Sequence, residues 1–439
     1  MTTTQFAEPM NSPRDLPAYD NPPENTRVRA LLCEDKQGQV QVIAPEGVLV
    51  DPDPICQTTA RDLRSLPVAE DAPVCAIPGF YGLPSVVHDQ LKRADVLALA
   101  TETPDQYVRT TGAELHHMCS SHASFEAQFC EELLPTPIQR MDDEQDILAA
   151  VDAFTARRIE ARLDETLHIP PLPEAARRII ALQQNPDFDL SELVQIIETD
   201  PSLSARIMGW ANSALYASPT PAKTLSDAIM RVLGFDVVFN MALGMAIGAT
   251  LKLPSSHVSG ASPYWLTAVY TAATMEALAH QAKGQDRANP GTCYLVGLLA
   301  NFGTLVVGHV FPPQFETICR LQEANPKIHH AHVDQHVLSL NREVIASTLL
   351  ELWELPDEVT TAMRYQYVAD YSGEHQTYVD LLRLSHTLSA QAEEGVSSLD
   401  ECESLDEFDA LNLDWDGVEE VMETIHDSKV ELGDIASSF

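Results

Sequence analysis

Two clusters of histidine and cysteine residues have the types and spacing to bind a metal ion. In the first, His116, His117, Cys119 and His122 lie close together, and Cys130 follows. On a helix, residues three positions apart share a face, so Cys119 could pair with either His116 or His122 around zinc or copper. No second ligand pair with comparable spacing flanks the cluster. An incidental cluster is therefore the preferred interpretation.

The second cluster contains His329, His330, His332 and His336. His332 and His336 are four residues apart and could face the same side of a helix. Because the cluster precedes a motif region around Arg342, we interpret it as a variable surface connection rather than as a metal site.

Other catalytic patterns are weaker still. Ser213 has no evident His and Asp partners, so a packing or capping serine is the preferred interpretation. The chain has no Gly-x-x-x-x-Gly-Lys phosphate loop. Residues 200–234 have helix-turn-helix spacing in places but only three bases, whereas DNA grooves usually require a denser basic face.

The overall charge also argues against nucleic acid and anionic membranes as partners. The 439 residues include 27 Lys and Arg against 65 Asp and Glu, a net charge of −38, which repels polyanions at long range. No apolar run approaches the roughly 20 residues of a membrane span, and residues 1–21 lack a hydrophobic signal core. The eight cysteines form no Cys-x-x-Cys pair. We expect a cytoplasmic protein with protein partners and no cofactor.

The elements that would position these residues fall into several regions. Residues 1–26 are predicted to be disordered, and residues 27–122 to form a small α/β domain. Apolar runs at 28–32 and 40–43, separated by the turn 35–38, predict a β-hairpin. Further strands are predicted near 96–100 and 107–109. Between 123 and 160, Phe125, Phe129, Leu133 and later apolar residues recur at helical spacing and predict a helical connector.

Residues 161–392 are predicted to be all-helical. Asp200-Pro201 is a helix start, because Asp can cap free amides and Pro is tolerated at the first helical position. Thr224 and Asp227 have the spacing of a capping box, and Gly234 is a candidate C-cap.

The motifs of this region, in their order along the chain, resemble the HDOD domain family, a non-catalytic relative of the HD phosphohydrolases. The matching segments are Ile169–Pro173, Thr199–Leu203, Trp210–Tyr216, Ala228–Gly234 and Trp353–Pro356. The family-motif residues are Pro173, Asp200, Pro201, Asn212, Ser213, Tyr216, Gly234, Trp353 and Pro356. Several motifs in the right order are more specific than any single short motif.

The resemblance implies that the metal site of the active relatives has been lost. In those enzymes His and Asp side chains hold metal ions that activate water for attack on phosphorus. The corresponding positions here are Thr267, Ala300, Asn301, Arg342, Gln366 and Tyr367. Alanine offers no donor atom, asparagine is a weak neutral ligand, and Arg342 would repel a divalent cation. The positions could persist as a pocket in which Arg342 takes an anion such as phosphate, but an ordinary surface or ion-paired arginine is preferred.

The N-terminal domain resembles the YbaK/prolyl-tRNA-deacylase-like family more weakly. The resemblance rests on the hairpin 30–43, the segment 79–86, and the strand near 96–100 with Thr111-Gly112 after it. Those domains hydrolyse mischarged aminoacyl-tRNA with a lysine and glycine-bearing loops. That lysine has no counterpart: Arg29 is the nearest base on the first strand, and Lys36 lies in the turn. A degenerate binding or regulatory module is the preferred interpretation.

The tail, residues 393–439, contains sixteen acids and one base, Lys429, and so contributes −15 of the net −38. A solvated acidic tail is the preferred interpretation. The alternative is an acidic and hydrophobic segment that docks on a partner or on its own protein, because Val418, Val421, Met422 and Ile425 have helical spacing.

The sequence thus predicts a small mixed α/β domain followed by an all-α HD-like bundle and an acidic tail. The predicted function is non-enzymatic signalling or scaffolding through protein–protein interaction. The resemblance implies a bacterial setting of the cyclic-dinucleotide or motility kind. Three alternatives stay open: residual phosphohydrolase activity, a nucleotide-binding sensor in the relic pocket, and deacylation by the N-terminal domain, for which tRNA would be a partner.

Overall fold

A computed structural model describes most of the chain. The described residues are 16–66, 74–120, 124–131, 172–183, 189–216, 220–248, 251, 264–283, 287–368, 371–394 and 406–437. They group by contact into two units. We call the described residues of Met1–Thr136 and Pro313–Ser339 the sheet unit, and those of Pro137–Ser255, Ala261–Pro312 and Leu340–Phe439 the helical unit. A mixed sheet followed by a helical region confirms the predicted fold class.

The elements are named in chain order. The strands are β1 (Arg27–Asp35), β2 (Gly38–Pro45), β3 (Leu49–Val50), β4 (Arg64–Ser65), β5 (Ser85–His88), β6 (Leu97–Ala100), β7 (Tyr107–Thr110), β8 (Ser124–Ala127) and β9 (Cys130–Glu131). The helices are α1 (Pro52–Thr59), α2 (Gly112–Ser120), α3 (Glu174–Gln183), α4 (Leu190–Glu198), α5 (Pro201–Ala211), α6 (Leu225–Asp227, continued by a π-helix Ala228–Leu233), α7 (Phe235–Gly248), α8 (Tyr264–Gln281), α9 (Pro290–Leu299), α10 (Phe302–Val310), α11 (Pro312–Ala324), α12 (His330–Leu338), α13 (Arg342–Leu352), α14 (Asp357–Tyr365), α15 (Gln376–Glu394), α16 (Asp406–Leu411), α17 (Trp415–Asp427) and α18 (Lys429–Ser437).

The sheet unit is built on a mixed sheet with the strand order β7-β6-β1-β2-β5-β8, and β4 also pairs with β1. The predicted hairpin is confirmed: β1 and β2 pair antiparallel from Val28 opposite Pro45 to Asp35 opposite Gly38. Gly38 closes the turn at φ +122°, a conformation that L side chains rarely adopt. The strands predicted near 96–100 and 107–109 correspond to β6 and β7.

Both faces of this sheet are buried. Successive side chains of a strand point to opposite faces, so Leu31 and Val42 enter one apolar core while Val28 and Ile43 enter the other. Helix α1 contributes to the first core through Ile55. Helix α2 contributes to the second. Buried strands of this kind explain why the region reads as dense apolar runs.

The predicted helical connector is wrong where the structure describes it, at residues 124–131. Residues Ser124–Ala127 form β8, which pairs parallel with β5, and Cys130–Glu131 form β9. Phe129 is buried, while Phe125 is 39% exposed. A spacing of four residues fits one helical turn and also two strand repeats, so the pair Phe125 and Phe129 did not distinguish them. The remainder of 123–160 lies outside the described residues.

Residues of α11 and α12 group with the sheet unit, which the sequence does not indicate. Asn325, just after α11, is fully buried and bonds both backbone groups of Val50 on β3: it receives the Val50 N–H (2.8 Å) and donates to the Val50 carbonyl (2.8 Å). It also donates to the Leu321 carbonyl and accepts from Arg29 Nη2 (2.6 Å). The two-stranded pair β3-β9 is therefore satisfied from a distant part of the chain.

Three helix ends of the helical unit lie where the sequence predicts. The Asp200 carboxylate accepts from the amides of Ser202 and Leu203 at the start of α5. Thr224 and Asp227 form a complete capping box. Gly234 ends the π-helix at φ +85°. These caps satisfy amides and carbonyls that helix ends otherwise leave unpaired.

One apolar core fills the helical unit, and α8 and α9 cross closely within it. A Cβ at Gly297 of α9 would lie 2.5 Å from Ala272 Cα and 2.7 Å from the Thr271 carbonyl. The stretch Pro290–Val310 has the length and composition of a membrane-spanning helix, but 78% of its apolar window is buried inside the protein. Core helices pass the same test, so this is weak support for a membrane span.

The acidic tail is folded rather than solvated over residues 406–437. On α17, Val418, Met422 and Ile425 are buried in the main core, as their helical spacing predicts. Leu432 of α18 joins the same core. The acids occupy the outer face, so one amphipathic segment satisfies both the charge and the apolar positions. The alternative in which the tail docks on its own protein holds for these residues.

Candidate functional site

Three of the six positions predicted to correspond to metal ligands, Ala300, Asn301 and Gln366, meet at the junction between α9 and α10. Helix α9 ends at Leu299, Ala300 is its C-cap, and Asn301 precedes α10. The Ala300 side chain is a buried methyl, and the Asn301 side chain makes no capping bond. The Asn301 carbonyl accepts from the Thr304 amide (2.9 Å). Ala300 and Asn301 therefore present backbone carbonyls and a methyl group to the protein interior. A metal site of the active relatives would require an imidazole and a carboxylate there.

Gln366, one of the positions predicted to have lost a ligand, carries a hydrogen-bonded amide. It follows α14 and is 3% exposed. Its Nε2 donates to the carbonyls of Ala300 and Met363, both at 3.1 Å. Its Oε1 lies 2.9 Å from Nε2 of His386. Because donors and acceptor are all engaged, the amide connects α14, the α9–α10 junction and α15.

His386 is a residue of this site that the sequence reasoning missed. It lies on α15, and its ring stacks on Tyr367 with centroids 5.6 Å apart and planes 17° apart. Residues 379–388 mix five apolar with five polar residues, so His386 did not stand out in the sequence. A single histidine in such a run gives no indication of its partner, so only the fold could identify Gln366 and Tyr367.

Arg342 is held by packing on α10. Its Nη1 donates to Thr304 Oγ1 at 3.1 Å. A Cβ at Gly303 would lie 2.5 Å from the Arg342 carbonyl, so glycine permits α13 to approach α10 this closely. The geometry agrees with the preferred interpretation of an engaged arginine and gives no support to an anion site there.

Thr267, the sixth relic position, lies on α8, and its carbonyl accepts from Thr271 Oγ1 (2.9 Å). The residues at the six positions do not fit a metal ion. Ala300 supplies no donor, Gln366 spends its amide on protein groups, and Arg342 carries a positive charge. We therefore derive no reaction step through a metal at this site.

The family-motif residues have structural roles. Asn212 bonds the Ala222 amide (2.7 Å) and carbonyl (3.1 Å) and so fixes the chain after α5. Ser213 Oγ donates to the Trp210 carbonyl (2.8 Å), as expected for a packing or capping serine. Trp353 packs on Phe302, with ring centroids 5.8 Å apart. Pro201 is the first residue of α5, Pro356 precedes α14, and Pro173 precedes α3.

The described histidines of the two clusters lie on α2 and at or within α12. On α2, Cys119 is buried beside Leu115, whereas His116 and His117 are exposed. His122 lies outside the described residues. His329 caps α12 through its ring, since Nδ1 accepts from the Ala331 amide at 3.3 Å. The four histidines 329–336 lie in the sheet unit at and within α12.

Arg29, the candidate base of the sheet unit, is a buried structural residue. Its guanidinium donates to Asn325 Oδ1 and to the Val48 carbonyl (3.3 Å). Burial lowers the pKa of Arg29, and nearby Cys130 and Glu46 oppose that shift. Because the Arg29 guanidinium is bonded to Asn325 and Val48, it is not available to act on the ester bond of an aminoacyl-tRNA. The YbaK-like resemblance stays a prediction.

Comparison with known proteins places these observations in a family. Residues 169–369 match the HDOD domain family. The fold is similar to that of a Marinobacter aquaeolei VT8 protein named for an inferred role in signal transduction, with 32% identity, 97% of each chain covered and a TM-score of 0.79. An HDOD domain protein of unknown function from Geobacter sulfurreducens shares the fold at 19% identity, with 68% of this chain and 99% of that chain covered and a TM-score of 0.53.

A curated relative, an uncharacterised protein of Treponema pallidum, is 27% identical over 212 residues. The match covers 48% of this chain and 39% of that protein. The chain thus spans about two fifths of the length of that relative.

Proposed function

This chain belongs to the HDOD-domain family, and on that basis we propose that it is a non-enzymatic signalling protein whose helical unit binds other proteins. The observation that carries the proposal is the Gln366 amide. The family resemblance assigns it to the position of a metal ligand, and in the structure it bonds Ala300, Met363 and His386. A family site that has exchanged ligands for hydrogen bonds retains its fold while losing the chemistry that depends on metal.

The likeness to a protein named for signal transduction supports the signalling part of the proposal. The candidate contact residues for a protein partner are two large apolar side chains on the helical unit, Met230 (74% exposed) and Leu352 (62% exposed). Exposed apolar residues of this size contribute to protein contacts when they are grouped, and singly they are ordinary surface. A bacterial cyclic-dinucleotide or motility pathway remains the proposed setting.

The first arm of the test measures hydrolysis of a generic phosphodiester by the full chain with added Mn²⁺. We expect no rate above buffer for the wild type or for Gln366→His, because one restored imidazole still lacks the donors missing at Ala300 and Arg342. Metal-dependent turnover by the wild type would overturn the non-enzymatic proposal.

The second arm captures partners with the full chain in an extract of the source organism. We expect a specific protein to be retained by the wild type and lost with Met230→Glu or Leu352→Glu, while circular dichroism of both variants stays native. A partner retained equally by both variants would exclude these side chains as the contact. If no protein is retained above a blank column, the protein-binding proposal fails.

A further inference from the structure

A carboxyl group is buried in the core of the helical unit, away from the relic metal positions. Glu276 of α8 is 6% exposed. Its helix neighbours Ala272, Ala273 and Ala279 are buried apolar residues of the main core. An ionised carboxylate in such surroundings loses most of its hydration, so the position favours the protonated form.

A chain of hydrogen bonds ends on this carboxyl. Trp210 Nε1 of α5 donates to the Tyr216 hydroxyl at 3.1 Å. The Tyr216 hydroxyl in turn donates to Glu276 Oε2. Tyr216 lies in a short 3₁₀ turn, Ala214–Tyr216. Its hydrogen bond to Glu276 fastens this turn to α8.

The second carboxyl oxygen faces the solvent side. Glu276 Oε1 lies 4.0 Å from His280 Nε2, one helical turn later, and the His280 side chain is 65% exposed. A proton can therefore leave or reach Oε1 from the His280 side while Oε2 remains bonded to Tyr216. Glu276 Oε2 therefore has a hydrogen-bond partner inside the protein, and Oε1 can exchange its proton with solvent.

The groups around the carboxyl determine which protonation state the fold favours. Burial raises the pKa of Glu276 to about 7, and the hydrogen bond from Tyr216 partly opposes that rise. Cys293 and Tyr294 of α9 lie close enough to feel its charge: burial, and then the charge of Glu276, raises the pKa of each. Among the described residues of α15, α17 and α18, which also pack on α8, no charged group contributes to the Glu276 shift.

We propose that Trp210, Tyr216 and Glu276 form a proton-operated latch, which holds the turn Ala214–Tyr216 on α8 when Glu276 is protonated and loosens it when Glu276 is ionised. On ionisation the proton passes to solvent at Oε1. The carboxylate accepts a stronger hydrogen bond from Tyr216 than the neutral acid does, but the cost of its lost hydration is larger, because the pKa is raised overall. The side chain therefore rotates toward His280 and water, which breaks the bond from Tyr216. The latch is a switch beyond the proposed signalling role and does not depend on it.

The sign of the pH effect follows from the raised pKa. A carboxyl whose pKa is higher in the folded state stabilises the closed latch fully below the pKa of the released group. That stabilisation is lost as pH rises through the folded value of about 7. The opening equilibrium constant therefore rises by at most about tenfold per pH unit and levels off above that value.

The experiment is hydrogen exchange, read by mass spectrometry, on the peptide that spans 210–216 in the full chain. It compares about pH 5 with about pH 8 after correction for intrinsic exchange. We expect the opening equilibrium constant of the wild type to be tens of times larger at the higher pH. Glu276→Gln should show no such rise, because its amide does not titrate. The matched control Glu423→Gln removes an exposed acid from α17 and should follow the wild type.

A second variant keeps the proposal testable if Glu276→Gln unfolds. Tyr216→Phe removes the hydroxyl that links Trp210 to Glu276, so the turn should already exchange quickly at the lower pH. The proposal is overturned if Glu276→Gln retains the pH rise of the wild type, if the wild type shows no rise, or if Tyr216→Phe matches the wild type at the lower pH.

Discussion

The amide of Gln366 provides the sharpest test of the relic site, through the variant Gln366→Ala. The change removes donors to the Ala300 and Met363 carbonyls at 3.1 Å and an acceptor 2.9 Å from His386. Each neutral hydrogen bond contributes about 1 kcal/mol net, and a buried polar group left without its partner costs about 1–3 kcal/mol. Because the side chain is 3% exposed, water cannot easily replace it. We expect the free energy of unfolding to fall by about 3 kcal/mol.

Tryptophan fluorescence during urea unfolding reports this loss selectively. All the tryptophans of the chain lie in the helical unit, and they are Trp210, Trp265, Trp353 and Trp415. The tryptophan fluorescence therefore reports the unfolding of the helical unit and not that of the sheet unit. The matched control is Gln376→Ala at the exposed start of α15, for which we expect a change within about 0.5 kcal/mol.

The variant Gln366→Glu separates hydrogen bonding from side-chain volume. It keeps the size but would place a carboxylate against the Ala300 and Met363 carbonyls, which both require a donor. Such a buried acid has a raised pKa, so the destabilisation should be present at neutral pH and shrink as pH falls and the group is protonated. If Gln366→Ala costs no more than Gln376→Ala, the amide does not hold the junction and the reasoning is refuted.

Three further predictions test the packing. Gly297→Ala should lower the free energy of unfolding, measured by tryptophan fluorescence, by about 1–3 kcal/mol, because its Cβ would meet the α8 backbone. Gly209→Ala has open space around its Cβ and should raise that free energy by about 0.5–1 kcal/mol. Asn325→Ala should markedly speed hydrogen exchange of the Leu49 and Val50 amides, because it removes the hydrogen bonds to the Val50 N–H and carbonyl. Unchanged exchange would contradict the role of Asn325 in holding β3. Met422→Ala should lower the free energy of unfolding, measured by tryptophan fluorescence, by about 2–5 kcal/mol, because Met422 is buried. Val430 is exposed, so Val430→Ala should leave that free energy almost unchanged. Equal effects of the two variants would mean that α17 is not packed as described.

Local signals in the sequence predicted local structure well. The turn at 35–38 and the alternation around it fixed the hairpin β1–β2, and Asp200 and Thr224 marked helix starts by capping chemistry that involves only nearby backbone. The order of the family motifs identified the HDOD domain, which the match over residues 169–369 confirms. The domain boundaries at 161 and 392 stay a prediction.

What the sequence could not show depends on distant partners. Phe125 and Phe129 are compatible with two periods, and only pairing of β8 with β5 decides between them. The buried face of α17 competes in the sequence with a high density of acids, which favoured a solvated tail. The Gln366–His386 contact joins residues 20 positions apart across two helices. Substitution of the ligands stays a prediction from the family resemblance, and the hydrogen bonds at these positions could be seen only in the fold.

The contribution of Asn325 to β3 has a consequence for biosynthesis. Val50 and Asn325 are separated by 275 residues, so the sheet unit is assembled from both ends of a long intervening stretch. During synthesis the N-terminal strands emerge first and must wait with the Val50 amide and carbonyl unpaired until the ribosome has passed residue 325. Contacts of such long range slow folding and prolong the exposure of unpaired strand edges. A fragment cut at residue 136 lacks this closure permanently, and a fragment limited to 169–369 carries α11 with its buried face uncovered. Truncation at the apparent domain boundary therefore damages both products.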